Sequence, residues 1–241
     1  MNRYKIADLI VETEGLSEAQ LSKMTTYLEV AEEKANITMR VNRGILDRTG
    51  EEFPYLTSDE YEYIQTGYAF ACKLLDFDGF CLHSSAVALR NRAILFSGPS
   101  GTGKSTHTGL WQQYFGKDKA VIINDDKPAL RLIQDTFYVY GTPWSGKCHL
   151  HVNTRVPLAA IVFLKQANQN LIRRLDSREA VPMLIYQSLR PLDDAKKTDK
   201  LLGLLDTLLQ KTPVYQLDCT ISLDAVKLSY EAIYEEKMQL E

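Results

Sequence analysis

The chain has 241 residues, of which 45% are hydrophobic and 24% are charged, and its formal net charge at pH 7 is −3. This length and composition are typical of a globular protein with one large domain, or with one domain and an appendage. The small negative charge gives no support for nucleic-acid or anionic-membrane binding, so we expect neither partner. The central apolar run, Leu158 to Leu164, is far too short to cross a bilayer.

The cysteines and the first residues favour a cytoplasmic location. The four cysteines lie far apart without a C-x-x-C pair, which is typical of free thiols in a reducing compartment. Residues 1–5 lead into only six mostly apolar residues, which include Asp8, and this is not the pattern of a secretory signal. The sequence leaves the oligomeric state open and allows a homo-oligomer.

Residues 1–57 are predicted to form a small α+β appendage, and residues 58–241 the main domain. Tyr4 to Val11 is predicted as a strand, and Ser17 begins a capping-box motif that opens a short helix. Ile37 to Val41 alternates between apolar and polar residues, as a strand does. We find no group of chemically reactive side chains in this part of the chain.

A long helix is predicted to begin at residues 58–60, whose Ser-Asp-Glu sequence is typical of a helix cap. An apolar stripe at helical spacing is more often core than a ligand site, and we interpret this one as core. Its members are Tyr61, Ile64, Tyr68, Ala71, Cys72 and Leu75. The helix is predicted to end at residues 77–80, and a strand to follow over residues 81–89.

Residues 98–105 read Gly-Pro-Ser-Gly-Thr-Gly-Lys-Ser and fit G-x-x-x-x-G-K-[ST], the phosphate-binding P-loop. The glycines let backbone N–H groups turn inward around an anion, and the N-terminus of the next helix, predicted over residues 106–115, adds further donors. Lys104 is expected to reach the phosphates of ATP, and the Ser105 hydroxyl to hold Mg²⁺. The predicted nucleotide-binding residues are Gly98, Ser100, Gly101, Thr102, Gly103, Lys104, Ser105, Thr106 and Lys147.

The strand order around this loop predicts a mixed sheet. Strand 81–89 and the P-loop strand, residues 92–96, are separated by about three residues, so they can form only an antiparallel hairpin. We expect residues 93–96 to pair with residues 87–84, which places His83 near the P-loop.

Downstream, the predicted elements continue this pattern. Strands are predicted over residues 120–124, 129–133, 137–141, 156–165, 171–175 and 214–217, with the fourth and fifth forming a hairpin. Helices are predicted over residues 177–189 and 198–209 and from Ser222 onward. The fold class is therefore α/β, with a mixed, largely antiparallel sheet, a P-loop and C-terminal helices.

Asp125 and Asp126 end an apolar strand that follows the P-loop helix, which is the position where a carboxylate organises a metal ion. The second carboxylate can take a hydroxyl proton or hold another metal ion. The alternative interpretation is an Asp-rich turn. The predicted metal ligands are Ser105, Asp125 and Asp126, and the predicted catalytic residues are Asp126, Asp125, His83 and Lys104.

Residues 141–147, Gly-Thr-Pro-Trp-Ser-Gly-Lys, are interpreted as a mobile lid over the phosphates, with Lys147 offsetting transferred charge; a surface turn is the alternative. Cys148, His149 and His151 have no fourth ligand at a recognisable spacing, so a structural metal site is not favoured. Weaker candidates for nucleotide contacts are His107, Arg173, Arg174 and Arg190.

Together, the strand that begins at His83, the hairpin, the P-loop and the paired aspartates resemble the kinase domain of HPr kinase/phosphorylase. They also resemble the nucleotide site of phosphoenolpyruvate carboxykinase, which shares that fold. The resemblance covers roughly residues 77–165. It implies that Lys104 and Ser105 bind phosphate and Mg²⁺, that Asp125 supports the metal through water, that Asp126 is general base or second-metal ligand, and that His83 lies beside the transferred phosphate.

The chain departs from both families. It lacks the large N-terminal domain of HPr kinase, and residues 141–147 replace that family's glutamate and Arg-Gly signature, so neither HPr as substrate nor phosphorolysis is implied. It is much shorter than a carboxykinase and has no arginines assignable to oxaloacetate, which argues against decarboxylation. Kinases of this fold that act on free serine, or on serine in a small modified peptide, are similar in size.

The sequence thus predicts an ATP- and Mg²⁺-dependent phosphotransferase that acts on a hydroxyl, such as that of a serine in a protein, a peptide or the free amino acid. Two alternatives stay open. One is a nucleotide-binding regulatory or scaffold protein without phosphotransfer, and the other is a carboxykinase-like reaction on a small carboxylic acid.

Overall fold

The computed structural model describes residues 2–30, 33–41, 53, 55–191 and 193–238. Its N-terminal part contains three strands, β1 (Asn2–Ile6), β2 (Leu9–Glu14) and β3 (Ile37–Arg40). The prediction of one strand over residues 4–11 was wrong. Ala7 and Asp8 have φ values of +53° and +58°, so they form the tight turn of a β1–β2 hairpin. The predicted strand near residue 37 is confirmed and pairs in parallel with β2.

Within the described residues, this part of the chain also contains the α-helices α1 (Glu18–Lys23), between β2 and β3, and α2 (Ser58–Leu74), after β3. The cap of α1 is confirmed, because Ser17 Oγ accepts from the Gln20 N–H at 3.2 Å. The cap of α2 is Thr57, one residue before the predicted one, and it forms a capping box with Glu60.

The predicted apolar stripe of α2 was partly wrong, because Ile64 and Tyr68 are 43% and 37% exposed. The buried face instead contains Glu62, Thr66, Gly67, Phe70, Ala71 and Leu74. The two buried polar side chains on this face are hydrogen-bonded, which makes their burial tolerable. Glu62 accepts the Ser17 N–H, and Thr66 accepts the indole N–H of Trp144.

Ten further strands, counted over the described residues, form one mixed sheet. In chain order they are β4 (Gly79–Leu82), β5 (Ser84–Leu89), β6 (Arg92–Ser97), β7 (Val121–Asn124), β8 (Ala129–Ile133), β9 (Thr136–Tyr140), β10 (Arg155–Gln166), β11 (Leu171–Arg174), β12 (Ser188–Leu189) and β13 (Val214–Cys219). The remaining helices are α3 (Lys104–Phe115), α4 (Ser177–Gln187), α5 (Ala195–Lys211) and α6 (Leu223–Met238). The predicted α/β class and mixed sheet are confirmed.

The long strand β10 joins the two halves of this sheet. Its first residues, 155–157, pair antiparallel with β9, and its later part pairs in parallel with β6 and β13. The spatial order is β12-β4-β8-β9-β10-β6-β5-β7, with β13 on β10 and β11 on β13. Within the described residues the other pairings of this sheet are antiparallel, as the sequence predicted.

The β5–β6 hairpin before the P-loop is confirmed, but its register is one residue from the predicted one. Ser84 pairs with Ser97 and Ala88 with Ala93, around a turn at Arg90 and Asn91. The single strand predicted over residues 81–89 was wrong. The chain bends at His83, so β4 and β5 pair with different partners.

The predicted hairpin of residues 156–165 with 171–175 was also wrong. β13 lies between β10 and β11, pairing in parallel with the first and antiparallel with the second. Helix α4 ends at Gln187, two residues before the predicted end, because Ser188 and Leu189 join the sheet as β12.

Side chains along the central strands alternate between the two faces of the sheet, and helices pack on both faces. Leu95 and Phe163 point into a core with α4 and α5, whereas Phe96 and Val162 point into a core with α3 and α6. The N-terminal sheet shares a third core with α2 and Trp144. The division into domains at residue 57 stays a prediction. No helix in the described ranges is long and apolar enough to cross a membrane.

Candidate active site

Side chains from four separate segments line one cavity of about 490 Å³. The segments are the bend at His83, the loop 98–105 with the start of α3, the turn after β7, and the end of the 141–147 loop. The lining residues are His83, Ser100, Gly101, Gly103, Lys104, Ser105, Thr106, Asp125, Asp126, Gly146, Lys147 and Cys148. Most predicted site residues therefore lie together, although Gly98 and Thr102 are not among the lining residues.

The loop 98–105 has the backbone that the motif requires. Gly101 and Gly103 have φ values of +82° and +95°, in the left-handed region that favours glycine. A Cβ added to either would have no neighbouring atom within 4 Å, so these positions face open space rather than packed core. Helix α3 begins at Lys104, two residues earlier than predicted, and directs its first N–H groups towards the same cavity.

Lys104 is buried and bends back onto its own loop. Its Nζ donates to the carbonyl oxygens of Gly98, at 2.9 Å, and Pro99, at 3.1 Å. Burial lowers the pKa of this ammonium, while Asp126 and Asp125 act in the opposite direction. The Lys104 ammonium can leave these neutral carbonyl acceptors and bind an anion at small cost in free energy. A hydrogen bond to a charged acceptor is stronger than one to a neutral carbonyl.

Asp125 is bound by the hydroxyl of Ser85, which in turn contacts the hydroxyl of Thr108. Ser85 Oγ donates to Asp125 Oδ1 at 2.6 Å and lies 2.8 Å from Thr108 Oγ1. Asp125 is 8% exposed, and no lysine or arginine forms an ion pair with it in the described part of the chain. Its carboxylate accepts one hydroxyl and forms no ion pair there, so its oxygens have lone pairs free for a cation.

Asp126 lies on the opposite side of the turn, with its two oxygens in different environments. Oδ2 accepts from Tyr63 OH at 2.8 Å and forms an ion pair with Lys127. Oδ1 faces His83 Nε2 at 3.5 Å. The contacts of Oδ2 therefore fix the carboxylate, while Oδ1 is directed at the cavity.

His83 is positioned by its neighbours on both sides. Its backbone N–H donates to the Gln187 carbonyl at 2.8 Å, and its Nδ1 lies 2.9 Å from Gln187 Oε1. Burial lowers the pKa of His83, Lys104 lowers it further, and Asp126 raises it. Because an amide oxygen only accepts, the neutral ring carries its proton on Nδ1 and exposes Nε2 as an acceptor.

Sequence reasoning missed two residues that organise this site. Asn124, fully buried, accepts the N–H groups of Asp126 and Lys127 and donates to the Thr142 carbonyl at 2.9 Å. The Asn-Asp-Asp order after a strand is a signal for such a side-chain turn. Tyr63 binds both Asp126 and, at 2.9 Å, the Gly146 N–H, and burial raises its pKa, so it stays a donor at neutral pH.

The prediction that residues 141–147 form a mobile lid was wrong for the first five of them. Thr142, Trp144 and Ser145 are at most 1% exposed, and Trp144 stacks on Phe70 with ring centroids 4.8 Å apart. The alternative, a surface turn, fails for the same reason. Only the end of the loop, with Lys147, is exposed beside the cavity.

The weaker candidates lie elsewhere. Arg173 pairs with Glu179, Arg190 contacts the backbone of α4 and β12, and neither lines the cavity. His151 is bound by Tyr27 OH at 3.0 Å, and His149 is exposed. Among the described residues there is no group of three histidine, cysteine or acidic side chains arranged to hold a metal ion.

His107 lies in a second cavity on the other side of α3, of about 530 Å³, which shares Gly103 and Thr106 with the first. Burial lowers the pKa of His107 to about 4, so the ring is neutral. Its Nε2 accepts from the Trp111 indole N–H at 3.2 Å, which places the ring proton on Nδ1.

Comparison with known proteins leaves the family of this chain open. No protein-family model matches it, and no curated protein matches its sequence. Among solved structures, the HPr(Ser) kinase/phosphatase from Coxiella burnetii matches with a TM-score of 0.39 and 9% sequence identity. The match covers 67% of this chain and 99% of that chain. A likeness this weak assigns neither a fold family nor a function.

Proposed function

We propose that the protein is an ATP- and Mg²⁺-dependent kinase of the HPr kinase-like P-loop type that transfers the γ-phosphate to a hydroxyl group, such as that of serine. The observation that carries this proposal is the convergence of the P-loop, Asp125, Asp126 and His83 on one cavity, although they come from separate parts of the sequence. An anion cradle alone fits a nucleotide-binding scaffold. The carboxylate and the imidazole that face this cradle are what phosphoryl transfer requires in addition.

In this proposal the loop 98–105 and the start of α3 hold the phosphates through backbone N–H groups. Lys104 leaves the carbonyls of its own loop and binds phosphate oxygens. The larger cavity beside α3 takes the nucleoside, because it adjoins the phosphate cavity at Gly103 and Thr106. The Nδ1–H of His107 is a neutral donor on its wall.

The residues of the cavity fit Mg²⁺. Ser105 and Asp125 offer a hydroxyl and a carboxylate, the hard oxygen ligands that this ion prefers, and leave Asp126 for the chemical step. When bound, the ion would supply positive charge against the phosphates. Lys147, exposed at the rim, adds a second positive group beside the transferred phosphoryl.

Asp126 is assigned as the base that takes the hydroxyl proton. Its Oδ1 is directed at the cavity while Oδ2 is fixed by Tyr63 and Lys127. The contacts of Oδ2 hold the carboxylate in one orientation, so Oδ1 is already placed to accept the proton of the incoming hydroxyl. His83 Nε2 is the neighbouring acceptor that orients the same hydroxyl.

The test pairs Lys104→Ala with Asp126→Asn. We expect Lys104→Ala to abolish binding of a non-hydrolysable ATP analogue in a titration without lowering the melting temperature. Its control is Lys117→Ala, at an exposed lysine just beyond the other end of α3. Unchanged nucleotide affinity in Lys104→Ala would make the P-loop assignment wrong.

Asp126→Asn separates chemistry from binding. We expect transfer of label from ATP to fall by about 10²–10⁴, the usual loss when a general base is removed, while analogue affinity stays near that of the unchanged protein. Asp118→Asn, at an exposed turn, is the matched control. Normal transfer by Asp126→Asn would remove this residue from the mechanism, and joint loss of Mg²⁺ and ATP binding would reassign it as a metal ligand.

A further inference from the structure

A short turn at residues 146–149 brings the exposed Lys147 to the wall of the phosphate cavity. The backbone of this turn is not one that the chain adopts freely, because His149 has a φ of +51°, in the left-handed region. For a residue other than glycine this conformation carries strain, which the surrounding structure must offset. The position of Lys147 therefore depends on what holds the two ends of the turn.

The first end of the turn is held by α2, and the second end by the sheet. Tyr63 OH accepts the Gly146 N–H at 2.9 Å. Beyond the turn, the Val152 N–H donates to the Ile123 carbonyl at 3.0 Å, and His151 pairs with Asn124 in an antiparallel bridge. The second end is thus tied to the strand that leads directly into the paired aspartates.

The N-terminal part of the chain supplies a further anchor at the second end. Tyr27, in the 3₁₀ turn Thr25–Tyr27, is fully buried, and its hydroxyl lies 3.0 Å from His151 Nδ1. The two rings also stack, with centroids 5.5 Å apart. Asn153 Nδ2 donates to the Thr26 carbonyl at 3.2 Å. A buried hydroxyl that loses its partner is unfavourable, so the fold favours the bond between Tyr27 and His151.

We propose that Tyr27 is a positioning residue for phosphoryl transfer. By holding His151 it fixes the turn 146–149, so that Lys147 reaches the phosphoryl group in transfer. This proposal rests on the kinase function above. It gives a role at the site to the N-terminal part, in which the sequence indicates no group of reactive side chains, and Tyr27 acts there on a residue 124 positions away in the chain.

The effect should fall on the transferred phosphoryl and not on ADP. The Lys147 side chain is long and flexible, so the place of its charge depends on the backbone that carries it. A displacement of about 1 Å at a group that stabilises the transition state can lower a rate by up to about 100-fold. The loop 98–105 and the start of α3 hold the remaining phosphates, and they do not depend on this turn.

The experiment compares two dissociation constants, that of ADP with Mg²⁺ and that of ADP with Mg²⁺ and aluminium fluoride, which imitates the phosphoryl group in transfer. In the unchanged protein we expect aluminium fluoride to tighten ADP binding. Lys147→Met should reduce this tightening roughly 10- to 100-fold, the value of one charge-assisted hydrogen bond. Tyr27→Phe, which keeps the stacked ring, should reduce it roughly 3- to 10-fold. ADP alone should bind equally to both variants.

The double variant Tyr27→Phe with Lys147→Met separates a positioning role from a general structural one. If Tyr27 acts by placing Lys147, its effect disappears once the lysine is gone, and the double variant matches Lys147→Met. His151→Asn should retain most of the tightening, because its amide oxygen can accept the Tyr27 hydroxyl, whereas His151→Leu should not. Tyr4→Phe, at another buried tyrosine of the same core, is the matched control.

Three outcomes would overturn the proposal: full tightening in Tyr27→Phe, effects that multiply in the double variant, or a loss in Tyr27→Phe that is equally large for ADP alone. Melting temperatures show whether Tyr27→Phe folds, and His151→Leu takes its place if it does not. An unchanged protein that binds ADP but shows no tightening with aluminium fluoride would contradict the kinase proposal itself, and the positioning role would be lost with it.

Discussion

The loops at residues 98–105 and 141–147 have similar compositions and opposite structures. Both contain glycine, proline, serine, threonine and lysine, and both follow a strand. In the first loop, Gly101 and Gly103 have left-handed conformations and face open space, and Ser100 and Ser105 are exposed. In the second, Thr142, Trp144 and Ser145 are buried, and a Cβ on Gly141 would lie 1.9 Å from the Val152 carbonyl oxygen.

The second loop is held in the core by contacts that the first loop lacks, and the largest of its side chains is that of Trp144. Trp144 has no counterpart in the first loop, and its burial against Phe70 and Gly67 draws the adjoining backbone into the core. Small, turn-forming residues therefore leave the loop 98–105 open to a ligand, whereas in the loop 141–147 they allow close packing. Substitutions in the first loop should alter ligand binding at little cost in stability, and substitutions in the second should do the reverse.

The largest expected effect is that of Gly141→Ala. The added methyl would meet two carbonyl oxygens, of Val152 at 1.9 Å and Ile123 at 2.9 Å, and backbone cannot move aside as a side chain can. We expect a loss of more than about 4 kcal/mol in the free energy of unfolding, or no folded protein. Chemical denaturation measures it. A loss below about 1 kcal/mol would mean that the loop is not packed in this way.

Trp144→Ala should come next, with a loss of roughly 3–5 kcal/mol, the usual cost of removing a buried tryptophan. The indole also donates to Thr66 Oγ1 at 3.0 Å, so Trp144→Phe should cost less but still about 1–2 kcal/mol. Denaturant titration of both variants gives the values. Tyr114→Ala, at an aromatic residue that is 44% exposed, is a control expected to change stability far less.

Gly103→Ala tests the first loop. The methyl has free space, but φ is +95°, so the expected cost is about 1–2 kcal/mol of backbone strain. Affinity for an ATP analogue should fall by more than stability does, because the strain is relieved by moving the N–H groups that would bind phosphate. If Gly103→Ala lowered the free energy of unfolding but left the affinity for the ATP analogue unchanged, the first loop would serve packing rather than ligand binding.

Tyr63→Phe should have the smallest effect on stability, about 1 kcal/mol, because it removes one hydroxyl that bonds Asp126 and the Gly146 N–H. The end of the second loop then loses its anchor to α2. We expect trypsin to cleave after the exposed Lys147 several-fold faster than in the unchanged protein, with cleavage elsewhere unaffected. Tyr61→Phe, on the same helix, is the control, and equal cleavage rates would show that the anchor has no influence on this segment.

Most of the main sheet could be predicted because its signals are local. The hairpin around Asn91 and the strand–glycine-loop–helix order at Gly98 each depend on neighbouring residues. The errors concern long-range choices. Nothing near residue 171 indicates that β11 pairs with β13 rather than with β10, and the bend at His83 depends on Gln187 and Asp126, whose backbone carbonyls accept the N–H groups of residues 83 and 84.

The candidate site shows the same limit. Glycine spacing and paired aspartates predicted residues that line one cavity, since their chemistry is visible in sequence order. Tyr63 carries no local signal of a role in the site, because only the packing of α2 brings its hydroxyl to Asp126. Trp144 was assigned to a lid because its partners, Phe70 and Thr66, are more than seventy residues away.

The position of β13 between β10 and β11 has a consequence for synthesis of the protein. β10 carries Ile161 and Phe163 beside the P-loop strand, and one of its edges is covered only when residues 214–219 arrive. A chain still growing on the ribosome exposes that apolar edge until residues 214–219 have emerged, and an open edge is a template for pairing with other chains. The cavity around the loop 98–105 therefore lies beside a sheet whose β10 edge is closed only after residues 214–219 have been made.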